Sequence, residues 1–211
     1  MRYTAVIFDI DGTLVDSTQA IHDALQMVAV DIRGYRLTPQ EMELGLSLPA
    51  PQALAAVGLP SNEETVDLWL DHEYELWGDE VGPFEGIEEL LDILAQHRVV
   101  MGAVTSETSD EMNRGFARFA IKQHMREIIT ADDTERHKPD PDPLLACLDR
   151  LHIAPNQALY VGDSVADGLC AKAAGADFAL ACWRQDPVTE QVPCRVRLSS
   201  PLELLQLLND A

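Results

Sequence analysis

The apolar run Val6-Ile7-Phe8 stops at two carboxylates, Asp9 and Asp11, followed at once by Gly12. A short segment of β-formers bounded by turn residues is the pattern of a strand buried on both faces. Side chains alternate along a strand, so Asp9 and Asp11 leave its end on the same side. Gly12 permits a sharp turn that a residue with a Cβ resists. Two carboxylates so placed can hold a hard cation, and they can divide the labour of nucleophile and acid/base. An Asp-Gly pair alone is equally a hairpin turn, and the spacing of an EF-hand loop is absent. The reading therefore depends on what stands at the ends of the other strands.

Downstream, the pattern alternates. From Ser17 to Pro83 the periodicity is helical, with no convincing strand. Ser17 or Thr18 caps a helix through Ile21, Leu25 and Val28, and Thr38-Pro39-Gln40-Glu41 opens a second with a capping box. Gln52 to Val57 reads as a short helix, and Ser61-Asn62-Glu63-Glu64 caps a longer one through Val66, Leu70 and Trp77. The acidic run from Glu63 to Glu80 is a solvated helix face. After Gly86, helices and strands take turns: helix Ile87 to His97, strand Val99 to Val104, helix Ser109 to about Ala120, and strand Glu127 to Thr130. A helix from Pro143 to Leu151, a strand Ala158 to Val161, a helix ending near Gly175, a fifth strand Asp177 to Ala181 and a helix Pro201 to Asn209 complete the chain.

Such alternation predicts an α/β fold, a doubly wound, Rossmann-like parallel sheet. It comprises residues 1–16 and 84–211, with a small inserted helical cap domain over residues 17–83. Ligands bind such sheets at the carboxyl ends of the strands. Those ends carry Asp9 and Asp11, then Thr105 and Ser106, then Lys138 in the following loop, then Asp163 and Asp167.

Carboxylates, a hydroxyl and a lysine converging on one edge suit phosphoryl transfer, where catalysis rests on positioning and on neutralising charge. Asp9 can attack phosphorus, giving an aspartyl phosphate. Attack by one anion on another calls for Mg²⁺, held by Asp9 and Asp163. Lys138 supplies a fixed charge and Thr105 a hydroxyl to the phosphoryl oxygens, with the Ser106 amide a further donor. Asp11 protonates the leaving group and then takes a proton from water, a role that neighbouring carboxylates favour by raising its pKa. His137, beside Lys138, offers another acid/base group.

Charge agrees with a small substrate. At 211 residues, 46% of them hydrophobic, the chain can bury a sizeable core, and its formal net charge of −21 argues against nucleic acid and acidic membrane surfaces as partners. The same charge repels an anionic ligand unless a local cation counters it. Cys147, Cys170, Cys182 and Cys194 lack paired metal-ligand spacing and read as reduced, mostly buried thiols. The apolar run after Arg2 is too short for a signal peptide, and no stretch is long and apolar enough to span a bilayer, so a cytoplasmic location is expected.

Together, Asp9-Ile10-Asp11-Gly12-Thr13, Thr105-Ser106, Lys138-Pro139 and Gly162-Asp163-Ser164-Val165-Ala166-Asp167 resemble the four ordered motifs of the haloacid dehalogenase superfamily. The resemblance spans essentially the whole chain. It is closest to the phosphoglycolate phosphatase-like branch, whose helical cap is inserted just after the first motif. It implies that Asp9 is the nucleophile, Asp11 the acid/base and a metal ligand through its backbone carbonyl, and Asp163 the side-chain metal ligand. Thr13, Ser164 and Asp167 then stand behind the ligands and orient them.

Asp11 separates the chain from the superfamily's dehalogenases, which lack that second aspartate. The segment Gly45 to Pro51 lacks the cap arginine of the related β-phosphoglucomutases, which disfavours a phosphosugar mutase, the second reading. A third is a non-catalytic regulatory protein that has kept the fold, but no motif residue is missing. The expectation is a Mg²⁺-dependent phosphatase, a monomer or weak homodimer, acting on a small phosphorylated metabolite such as phosphoglycolate. The cap's only basic residues are Arg33 and Arg36, which counts against recognition of a substrate carboxylate such as that of phosphoglycolate. The cap is expected to hinge near Asp16 and Gly82-Pro83, with the Leu46 to Pro51 loop as a lid surface.

Overall fold

The computed structural model describes residues 3–45, 48–78, 81–184 and 192–209. They divide into two compact units, one made of Met1–Asp16 and Pro83–Ala211, the other of Ser17–Gly82. Pro83 goes with the first unit, one residue earlier than the sequence boundary, because it forms an antiparallel bridge with Val15.

In the first unit, β1 (Ala5–Phe8) is buried along its whole length. Its alternate side chains face both ways, and all four are fully excluded from water. The strand is therefore covered on both sides, as a continuous apolar run requires.

The helical unit follows directly. Helix α1 (Thr18–Arg33) ends at Gly34, whose left-handed backbone returns its N–H to the Val30 carbonyl. Then come α2 (Pro39–Gly45), α3 (Ala50–Ala56) and α4 (Glu63–Trp77). Thr38 and Glu41 form the expected reciprocal cap of α2, and the Asn62 side chain accepts from the Thr65 N–H at the start of α4. Ala24, Leu25, Val28 and Ala29 of α1 pack with Leu54 of α3 and Trp69 of α4 in a core belonging to this unit, and Leu48 packs against it. The Arg33 guanidinium is held inside the unit by the Val57 carbonyl and Glu41, whereas Arg36 is exposed. Leu46 and Ser47 of the expected lid loop, and Glu80 of the acidic run, lie outside the described residues.

Back in the first unit, the elements are α5 (Ile87–Gln96), β2 (Val100–Val104), α6 (Ser109–Arg114), β3 (Glu127–Ile129), α7 (Asp142–Leu151), β4 (Ala158–Gly162), α8 (Val165–Ala174), β5 (Asp177–Ala181), β6 (Val196–Leu198) and α9 (Leu204–Asn209). The six strands form one sheet in the order β3-β2-β1-β4-β5-β6, and every pairing is parallel. Helices α7 and α8 lie side by side under the sheet, joining Ala5, Ile7 and Tyr160 to Leu144, Cys147, Leu148, Cys170 and Ala171 in a single core.

Two local expectations are corrected. The helix from Ser109 stops at Arg114, because Gly115 leaves helical geometry and the chain continues as 3₁₀ turns; its cap is Thr108, paired reciprocally with Glu111. Strand β6 was unforeseen. It is three residues at the sheet edge, with polar Arg197 between its two apolar residues, and edge strands are commonly that short. No described helix is long and apolar enough to cross a membrane.

All four cysteines are free, two buried and two half-buried. Burial pushes the thiols of Cys147 and Cys170 up to about 12, far from the thiolate range at neutral pH. In native protein at pH 8, Ellman's reagent should therefore leave Cys147 and Cys170 unmodified, whereas all four thiols react in guanidinium. Finding either buried cysteine labelled in native protein, by peptide mass mapping, would show that this core opens.

Candidate active site

From β1 the chain passes through β2 to the edge strand β3, then returns to β4 on the opposite side of β1. The crevice beyond the carboxyl ends of β1 and β4 is thus the sheet's switch point, where α/β folds place ligands. Asp9 is the first residue past β1, and its N–H continues the ladder to the Val161 carbonyl at 2.8 Å. The chain then doubles back. The Ile10 carbonyl accepts from the N–H groups of Thr13, Leu14 and Val15, and Gly12, at φ +73°, gives its N–H to Val15. That positive φ is why glycine stands there. The Asp-Gly step is therefore a loop at a strand end and not a hairpin turn.

Lys138 reaches this point from the loop after β3; its peptide bond to Pro139 is cis. Its Nζ donates to Asp9 Oδ1 at 2.8 Å and to Asp167 Oδ1 at 2.9 Å, with all three side chains at most 10% exposed. Asp167 is occupied on both oxygens. Oδ1 also accepts from the Tyr160 hydroxyl at 2.8 Å, and Oδ2 accepts from the Ser164 N–H and hydroxyl at 3.1 and 2.5 Å. Ser164 in turn caps α8 by accepting from the Asp167 N–H. The Asp167 side chain lies so close to Gly162 that a Cβ there would sit 2.5 Å from its carboxyl carbon.

Asp163, the first residue past β4, is held from two sides. The Thr13 hydroxyl donates to its Oδ1 over 3.5 Å, and the Arg184 guanidinium pairs with its Oδ2. Arg184 follows Trp183, whose indole N–H donates to the Thr13 carbonyl at 3.0 Å and whose ring meets Phe84 edge-on. Thr105, buried at the end of β2, accepts from the Glu107 N–H, and Ser106 beside it is half-buried. Asp11 is half-buried, and its charge is felt by the buried Glu111 carboxyl, which burial chiefly raises. His137 is half-buried in the Lys138 loop.

The structure therefore brings Asp9, Lys138, Asp163, Asp167, Thr13 and Ser164 into one connected group. Three neighbours had not been foreseen. Tyr160 was read only as part of a buried strand. Trp183 and Arg184 follow the carboxyl end of β5, the sheet edge at which ligands bind.

The electrostatics show what the group lacks. Burial raises the Asp9 pKa, Asp167 adds to the rise, and Lys138 only partly offsets it. Asp163 is pushed up to about 6, again by burial and then by Asp167, against the pull of Arg184 and Lys138. Asp167 stays low despite burial because Lys138, Ser164 and Tyr160 stabilise its charge. Burial works to lower the Lys138 pKa, but Asp167 and Asp9 carry it upward, so it remains an ammonium. Asp9 and Asp163 thus lie where negative charge is under-compensated. One oxygen from each of Asp9, Asp163 and Asp167 lies within 4.8 Å of the others. A buried set of hard carboxylate oxygens fits a small divalent cation. Asp167 accepts two bonds on each oxygen, whereas the bonds described leave a lone pair on each Asp163 oxygen and more on Asp9, so Asp9 and Asp163 are the side chains with capacity for one.

The haloacid dehalogenase-like hydrolase family model matches residues 6–181. The chain belongs to that family. It is 30% identical over 183 residues to a protein of Caldanaerobacter subterraneus provisionally named pyrophosphatase PpaX, covering 87% of this chain and 83% of the relative. It is 31% identical over 190 residues to phosphoglycolate phosphatase of Xanthomonas campestris, covering 87% and 85%. A crystal structure from Lactobacillus plantarum, provisionally described as a phosphoglycolate phosphatase, superposes with a TM-score of 0.83 at 34% identity, covering 98% of this chain and all of that one.

The packing of Asp167 against Gly162 can be tested directly. Gly162→Ala should lower stability by about 1–3 kcal/mol, because the carboxylate cannot retreat without leaving Lys138, Tyr160 and Ser164. Urea unfolding monitored by circular dichroism measures this, and an unchanged midpoint would show that Asp167 has room to move.

Proposed function

We propose that the protein is a Mg²⁺-dependent phosphatase that hydrolyses a small phosphorylated metabolite through an aspartyl phosphate on Asp9. The observation that carries this reading is the buried Asp9 carboxylate at the end of the central strand, clamped by Lys138 through one oxygen. The clamp fixes the orientation of Asp9, so that its other oxygen can be aimed at phosphorus.

In this reading Asp9 and Asp163 hold Mg²⁺, with the Asp11 backbone carbonyl as a third ligand. The ion supplies positive charge that keeps Asp9 ionised and screens it from the phosphate. Lys138 contributes a fixed ammonium beside the incoming phosphoryl oxygens. The Thr105 hydroxyl accepts from the Glu107 N–H and can give its own proton to a phosphoryl oxygen, with the Ser106 N–H next to it. Asp11, less buried than Asp9, gives a proton to the departing alkoxide and later takes one from the water that attacks the acyl phosphate. Thr13, Ser164 and Asp167 keep Asp163 and Lys138 in place.

Relatives of 30% identity or more carry phosphatase names, which favours hydrolysis over phosphosugar mutation. The presence of every expected catalytic residue favours an enzyme over a regulatory protein. Two such relatives are named for different substrates, so identity at this level does not select one. Substrate choice we assign to the helical unit, in which Arg36 is the exposed arginine.

Phosphate release should be measured with phosphoglycolate, pyrophosphate, hexose phosphates and p-nitrophenyl phosphate. Asp9→Asn keeps the shape but loses the attacking charge, and turnover should fall at least about 10³-fold, on the order of ~4 kcal/mol in barrier. A variant retaining a tenth of wild-type activity would remove Asp9 as the nucleophile. EDTA should abolish turnover and Mg²⁺ restore it. Ca²⁺ should not, because it takes more ligands at longer distances.

A further inference from the structure

The family chemistry assigns no part to Arg184, yet this residue meets the candidate cation site directly. It follows β5 by three residues, and its guanidinium pairs with Asp163 Oδ2 at 2.5 Å. The Asp163 side chain is only 6% exposed and that of Arg184 only 20%, so water screens the contact weakly. Nor is the contact a chance reach of a loose side chain. The preceding residue is pinned by the bond from the Trp183 indole to the Thr13 carbonyl, and by the Trp183 ring against Phe84. The Cys182 N–H is tied to the Leu198 carbonyl in the neighbouring strand. Thr13 itself donates to the other oxygen of Asp163, so two distant stretches of chain, joined by the Trp183–Thr13 bond, hold the two sides of that carboxylate.

The charge arithmetic is specific. Asp9, Asp163 and Asp167 bring three negative charges to the buried group, and Lys138 answers one. Arg184 answers a second, and it does so on a carboxylate that Lys138 does not bond. A guanidinium and a divalent cation cannot both take their full interaction from one carboxylate oxygen, because the two positive charges would face each other at contact distance in a poorly screened site.

We propose that Arg184 is a built-in competitor for the divalent cation, a positioning residue that occupies Asp163 until the cation displaces it. Arg184 thereby sets how tightly the site holds its metal. It also keeps Asp163 from standing buried and uncompensated in protein without metal. This inference rests on the reading that Asp9 and Asp163 hold Mg²⁺.

The test measures binding of Mg²⁺ alone, by isothermal titration calorimetry without substrate, to wild-type protein and to Arg184→Gln and Arg184→Lys. Removing the competing charge should tighten Mg²⁺ binding by about tenfold in Arg184→Gln, with Arg184→Lys between that variant and wild type. Thermal unfolding adds a second readout. In EDTA, Arg184→Gln should melt below wild type, and saturating Mg²⁺ should raise its Tm by more than it raises that of wild type. Unchanged or weaker Mg²⁺ binding in both variants, with wild type binding normally, would overturn the inference and make Arg184 a fixed support of Asp163. Absence of Mg²⁺ binding to folded wild-type protein would instead overturn the cation-site reading itself. Circular dichroism establishes that each variant is folded, and Arg184→Lys, which keeps the charge, serves if Arg184→Gln does not fold.

Discussion

A single ammonium group holds the centre of this molecule together. Lys138 lies between Asp9 and Asp167, with all three out of water, and the loop that carries it, after β3, must come inward to reach them. A buried charge without a partner is strongly unfavourable, so removal of Lys138 would leave the Asp9 and Asp167 carboxylates without the cation between them. The rest follows from keeping this contact in register. Tyr160 rises from the core to bond Asp167, Ser164 ties Asp167 to the first turn of α8, and Gly162 leaves room for it. These groups belong to β4, to α8 and to the turn between them, so the sheet and the site are set by the same few contacts.

Most of the arrangement was legible in sequence because it lies at strand ends. Asp9, Thr105 and Asp163 each follow an apolar run, and the topology of a doubly wound sheet brings such positions to one edge. Lys138 was legible as a basic residue in a loop after a strand, though nothing local foretold that it would bridge two aspartates. Asp167 was expected to orient the metal ligands or to cap a turn, and the structure adds its partners, Lys138, Tyr160 and Ser164. What stayed hidden was hidden for a reason. Tyr160 sits in a run whose hydrophobicity hides its hydroxyl, and the partner of that hydroxyl is seven residues away across a helix start. Arg184 acts only because Trp183 has bonded to a carbonyl 170 positions earlier in the chain, a contact with no sequence signature. Strand β6 is too short to show an alternating pattern.

The separation of tasks between the two units accords with the relatives. On the reading proposed, the residues gathered at the sheet edge handle the phosphoryl group, which every candidate substrate shares. Relatives of nearly equal identity can then carry different substrate names without any change in that chemistry. The helical unit has its own apolar core and its own caps, so its surface can vary with little effect on the register of the sheet.

The sheet is also discontinuous in the chain. Its central strand, β1, is made first, and neither of its neighbours, Val100–Val104 or Ala158–Gly162, exists until the whole of Ser17–Gly82 has been synthesised. On a ribosome adding roughly 5–20 residues per second, β1 therefore waits for seconds as an unpaired, wholly apolar strand, while the helical unit can already fold through its own local contacts. β1 ends in Asp9 and Asp11, and charged residues flanking an apolar strand hinder its pairing with other chains. On the reading proposed, the carboxylates that carry the chemistry can in this way also guard the nascent chain against aggregation.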